Sequence, residues 1–118
     1  MASRTRQDIA EAYLEVWRDE DFDAIRASLR DDVVFNGPFV SLSSTDDVIN
    51  AIKQLSGLVK TPENQNVMTG GHDVCIINDL VPVKGAPSVA MSEVHTVTSE
   101  KISSIRVIFD TAALTAIF

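Results

Sequence analysis

Ser88-Val89-Ala90-Met91-Ser92-Glu93-Val94-His95-Thr96-Val97-Thr98, a Ser99-Glu100 break, and then Lys101-Ile102-Ser103-Ser104-Ile105-Arg106-Val107-Ile108-Phe109 decide the fold. Both runs are rich in β-branched residues, and so short a join makes them an antiparallel hairpin. Along the first run Val89, Met91, Glu93, His95 and Val97 share one face, while Ala90, Ser92, Val94, Thr96 and Thr98 share the other. The first set holds the larger apolar side chains and is expected to face a core.

Upstream, Val67 to Thr69 and Val74 to Val81 flank a Gly70-Gly71-His72-Asp73 turn, and a loop around Gly85 joins them to Ser88. These strands extend the hairpin into an antiparallel meander. Further back the apolar period changes from two to between three and four. Ile9, Ala12, Tyr13, Val16 and Trp17 mark one face of a helix, with Thr5 and Asp8 placed as a capping box. Arg18-Asp19-Glu20-Asp21 breaks it, and Asp21 or Asp23 can cap a second helix carrying Phe22, Ile25 and Leu29. Val33-Val34-Phe35 reads as a short strand stopped by Gly37-Pro38. A third helix, capped by Ser43, Ser44 or Thr45, carries Val48, Ile49, Ile52 and Leu55 and ends near Gly57. Asp110 can cap a closing turn, Thr111 to Ile117, with Ala112, Leu114 and Ile117 folding back.

Helices first and hairpin-linked strands second exclude a doubly wound parallel sheet and give an α+β fold. At 118 residues the chain suits one domain over positions 1–118. With three helices on one face of a curved sheet, the other face is left bare and carries Val94 and Ile108; a second copy of the chain across it, a homodimer, is the expected cover.

The net charge of −7 repels phosphate backbones, and no basic cluster interrupts it, so nucleic acid is an unexpected partner. No apolar run approaches membrane-spanning length. The polar start of the sequence lacks a signal-peptide pattern, which makes the cytoplasm the expected location. Cys75 is the only cysteine, so no disulfide pairs within the chain. His72 and His95 lack ligand-spaced companions, and no phosphate or dinucleotide motif occurs; neither a metal nor a cofactor is expected.

Tyr13-Leu14-Glu15-Val16-Trp17, Asp21-Phe22-Asp23-Ala24-Ile25 and Asp31-Asp32-Val33-Val34-Phe35 resemble the opening of SnoaL-like proteins in the nuclear transport factor 2-like superfamily. Glu93-Val94-His95-Thr96-Val97 and the run from Lys101 to Asp110 resemble that family's last two strands. The resemblance implies a cone: a strongly bent, mainly antiparallel sheet wraps a long first helix, an apolar cavity opens at the wide end, and dimers form through the sheet. The superfamily contains ketosteroid isomerases, polyketide cyclases, limonene epoxide hydrolases and non-enzymes, so the fold carries no reaction with it.

The candidate chemistry sits on the inward face of the long strand. Glu93 and His95 stand about 7 Å apart along it, and two titratable groups on an apolar wall can serve as acid and base. The alternatives are a structural buried pair, or a register that turns both to solvent. By the resemblance, Glu93 falls where ketosteroid isomerases hold an acid against the substrate oxygen, and Tyr13 aligns with their oxyanion-donating tyrosine. Asp79 is expected on the inner face of the neighbouring strand and resembles one catalytic aspartate of limonene epoxide hydrolases. Other members of those sets are missing: Ile77 and Val107 replace that hydrolase's arginine and second aspartate, and Gly37 replaces the isomerase's base. Tyr13 and Trp17 can line the cavity as ligand contacts or pack as a core pair. Asn36, which can also cap its turn, joins Met91, Ile105 and Val107 as a further ligand-contact candidate.

Two functions follow as expectations. One is a lyase, isomerase or cyclase that uses Glu93 and His95 on a small apolar carbonyl-bearing molecule. The other is a ligand-binding or interaction module of the same fold, whose cavity is filled by side chains or holds a metabolite without turnover; Trp17, Phe39 and Phe118 plugging the mouth would favour it.

Overall fold

The computed structural model describes residues 5–60, 63–83, 85 and 87–115. Three helices open the chain's helical layer: α1 (Arg6–Arg18), α2 (Phe22–Ser28) and, after the strands β1 (Leu29–Asn36) and β2 (Ser41–Leu42), α3 (Thr45–Ser56). The remaining elements are β3 (Glu63–Gly70), β4 (Asp73–Leu80), β5 (Val89–Thr98), β6 (Lys101–Phe109) and a short α4 (Thr111–Thr115).

Each helix starts where its sequence offers an acceptor for orphan backbone N–H groups. Thr5 Oγ1 accepts from the Asp8 N–H at 3.0 Å and Asp8 Oδ2 accepts from the Thr5 N–H at 3.1 Å, completing the capping box. Asp21 caps α2, Ser44 caps α3, and Asp110 Oδ1 accepts from the N–H groups of Ala112 and Ala113. The β3–β4 turn places Gly71 at φ 59°, and the β5–β6 turn holds Ser99 and Glu100 at φ 54° and 64°. Left-handed backbone at both turn residues twists that hairpin in the same sense as its strands.

The six strands form one open sheet in the order β2-β1-β6-β5-β4-β3. From β3 to β6 it is the expected antiparallel meander. β1 returns to lie parallel beside β6, pairing Phe35 with Ile105 and Asn36 with Arg106. Register shifts within β1, β3 and β6 bend the sheet around the helices.

Several boundaries differ from the sequence reading. Leu29, read as the last apolar position of the second helix, is fully buried as the first residue of β1 opposite Ile102. β1 therefore runs well ahead of Val33. β3 starts at Glu63 rather than Val67, because backbone pairing with β4 carries a polar stretch that shows no alternation. The two-residue β2 pairs with the end of β1. Ile117 and Phe118 and the side chain of Leu114, named in the sequence reading, lie outside the described residues.

The core joins Ile9, Ala10, Tyr13 and Leu14 of α1 and Val48, Ile49 and Ile52 of α3 to the inward side chains of β4, β5 and β6. The α1 stripe is thus rotated slightly from the expected one: Ala10 and Leu14 are buried, whereas Ala12, Val16 and Trp17 are half-buried. Each fully buried Ile, Leu or Val contributes about 1.5–3 kcal/mol by leaving water. The sheet's outer face keeps Val94 half-buried and exposes Met68, Ile77 and Ile108, the last at 53%. No helix among the described residues is long and apolar enough to cross a membrane.

Candidate functional site

The alternation of β5 sends Met91, Glu93 and His95 inward beneath α1. Between the helices and this wall lies a cavity of about 410 Å³. Tyr13 and Trp17 of α1, Val48, Ile52 and Leu55 of α3, Phe35 of β1, and Met91, Val107 and Phe109 of β5 and β6 give it apolar walls. Phe39, which follows Gly37-Pro38, leans on Phe109 with ring centroids 5.5 Å apart and also lines the cavity.

Among the described residues Glu93 is the single charged side chain lining the cavity. Only 8% exposed, it is backed by a buried polar cluster. Its Oε1 lies 3.3 Å from His95 Nε2, and its Oε2 accepts from Asn78 Nδ2 at 3.4 Å. Both distances are long for hydrogen bonds, which leaves room for the carboxyl to shift toward a ligand. His95 is 0% exposed and does not reach the cavity; the Tyr13 ring stands edge-on to it at 5.1 Å. Asn78 Oδ1 and His95 Nδ1 have no hydrogen-bond partner among the described residues, an uncommon cost for buried polar atoms.

Burial, and secondarily the charge of Glu93, pushes the Tyr13 phenol well above its ordinary pKa. Tyr13 therefore keeps its proton and remains a donor. A protonated phenol and a carboxyl lining one apolar cavity can respectively stabilise a developing oxyanion and move a proton.

Neither a protein-family model nor a curated protein matches this sequence. Solved structures do. A nuclear transport factor 2-like protein of unknown function from Cytophaga hutchinsonii superposes with a TM-score of 0.83 at 24% identity, over 98% of this chain and 99% of that one. The chain has the nuclear transport factor 2-like fold. A limonene-epoxide-hydrolase-like epoxide hydrolase from M. tuberculosis is similar at a TM-score of 0.75 and 22% identity, covering 94% of this chain and 86% of that one. So is a Catenulispora acidiphila protein with a ketosteroid isomerase-like fold, in complex with trimethylamine, at a TM-score of 0.76 and 16% identity, covering 95% and 92%.

Within this nuclear transport factor 2-like cone, Tyr13, Trp17, Met91, Glu93 and Val107 line the cavity, and His95 stands behind Glu93. Ile105 is fully buried and does not line it. Two other candidates lie elsewhere. Asp79 pairs with Ala90 on the outer face of the sheet, because β4 meets β5 one residue out of the register that would turn it inward. Asn36 pairs with Arg106, also on the outer face, and its side chain accepts a hydrogen bond from the Ser41 hydroxyl across the β1–β2 hairpin. The same register turns Asn78 inward opposite Met91. Sequence reasoning passed over Asn78, and its one available signal was a polar amide inside the apolar run from Val74 to Leu80.

Among the described residues no group of three or more His, Cys, Asp or Glu could hold a metal ion.

Proposed function

We propose that this chain is an isomerase, lyase or cyclase that takes a small apolar carbonyl compound into the cavity and moves a proton at Glu93. One observation carries the reading: among the described residues Glu93 is the sole charged side chain on a lining that is apolar apart from Gln54 and Gln65, with His95 and Asn78 buried behind it. Stability alone gives no reason to bury three polar side chains where apolar ones would pack.

In the proposed reaction Glu93 takes the proton from the carbon next to the substrate carbonyl. The C–H electron pair moves into an enolate, whose oxygen accepts a hydrogen bond from the Tyr13 hydroxyl. His95 and Asn78 act as positioning residues that fix the carboxyl. Return of the proton to a second carbon completes an isomerisation, and loss of a leaving group completes an elimination. The open volume beside Trp17 and Phe39 supports a cavity that takes a ligand, as the proposed reaction requires.

The working unit in this proposal is a homodimer through the outer sheet face, which would cover Met68, Ile77 and Ile108. The cytoplasm suits its sole cysteine, Cys75, which is free.

Mass spectrometry of small molecules released by denaturing the purified protein tests the reading, together with proton–deuterium exchange into a panel of cyclic ketones. The expected result is an apolar ligand or catalysed exchange in the wild type, and loss of exchange in Glu93→Gln. Exchange equal in wild type and Glu93→Gln, or an empty wild type without exchange, would overturn it.

A further inference from the structure

We propose that the cavity also selects a cationic ligand, an apolar molecule bearing one protonated nitrogen, which acts as a competitive inhibitor rather than a substrate. The inference rests on Glu93 being the proton acceptor of the site: the ligand's N–H would stand where the substrate's acidic C–H stands.

The charge inventory of the lining supports it. Among the described residues no lysine, arginine or histidine faces the cavity, so an anionic ligand would meet Glu93 with none of them to neutralise it. Asn78 donates to one Glu93 oxygen from behind and His95 Nε2 adjoins the other, yet a carboxylate has about four acceptor sites. Those facing the cavity need a donor, and a carbonyl oxygen has none to give. A protonated amine supplies both the N–H and the opposite charge in a setting where water competes little.

The walls suit the rest of such a molecule. Tyr13, Trp17, Phe35, Phe39 and Phe109 bring five aromatic rings to the lining, and the electron-rich faces of aromatic rings attract cations within reach. The cavity of about 410 Å³ is roughly fourteen times the volume of about 30 Å³ that one water takes up in the liquid, which suits a small single-ring ligand. The net charge of −7 adds a long-range bias toward cations.

Trp17 is the only tryptophan of the chain and lines the cavity, so its fluorescence reports occupancy. The probes are N,N-dimethylbenzylamine, its uncharged carbon isostere isobutylbenzene, and phenylacetate, titrated into wild type and Glu93→Gln at neutral pH. The amine is expected to bind about ten- to a hundredfold tighter than the hydrocarbon, with phenylacetate weakest. In Glu93→Gln the amine's advantage disappears and the hydrocarbon's affinity stays. Equal binding of amine and hydrocarbon by the wild type overturns the inference whatever the variant does, as does an advantage that survives in Glu93→Gln. Ketone exchange without amine preference would sink this inference alone, and amine preference without exchange would sink only the proposed reaction.

Discussion

Replacing Glu93 by leucine removes the side-chain partner of both Asn78 Nδ2 and His95 Nε2 and leaves two buried polar nitrogens orphaned. Each orphaned buried group costs about 1–3 kcal/mol. Leucine recovers roughly 1.5–3 kcal/mol by burying its own apolar surface, so the net change runs from a gain of about 1 kcal/mol to a loss of about 4.5 kcal/mol. For a chain of this length each kcal/mol lost lowers the melting temperature by roughly 3–6 °C. Adding Asn78→Leu to Glu93→Leu removes one of the two orphans. The double variant is therefore expected to lose less stability than the sum of the singles, with a coupling of about 1–3 kcal/mol. Urea unfolding of the four proteins at pH 7 measures the cycle. Additivity to within about 0.5 kcal/mol would refute the Asn78–Glu93 contact.

Three further outcomes follow from the same geometry. The folded state holds the Tyr13 phenol above its ordinary 10.0, so above pH 10 the unfolded chain binds fewer protons than the folded one. The stability present below pH 10 should then fall as pH rises, by up to about 1.4 kcal/mol per pH unit. Tyr13→Phe should remove this component, and identical alkaline slopes in urea melts of the two proteins would contradict the buried phenol. Thr5→Ala breaks the capping box of α1 and should cost about 1 kcal/mol, read as a shift in the urea midpoint at unchanged slope. Ile108→Arg places a charge on the exposed outer face of the sheet and should convert the proposed dimer to a monomer by light scattering; a monomeric wild type would dispose of that interface.

Much of this geometry was legible because it is local. Capping at Thr5, Asp21 and Ser44 depends on residues three apart, and the shared face of Met91, Glu93 and His95 depends on the two-residue period of one strand. The β5–β6 hairpin was legible for the same reason, since a two-residue turn fixes its own register. The outward placement of Ile108 does not follow from the turn alone: the extra residue at Ser103 shifts the pairing by one and sets Ile108 opposite Ser92, whereas the unshifted register would have set it opposite the inward Met91.

The sequence by itself determined the α+β order of elements, the helix starts and the inward face of β5, all of which are set by neighbours along the chain. Only the tertiary structure decided which side chains meet. Pairing of Leu80 with Val89 across a long loop turns Asn78 inward and Asp79 outward, and a shift of one residue would have exchanged them. The parallel return of β1 beside β6 set Asn36 on the outer face, because a partner distant in sequence leaves no periodic trace in either strand. Depth was decided in the same way: α1 covers His95 with Tyr13 and leaves Glu93 at the cavity, so two residues on one face of one strand come to lie in different surroundings.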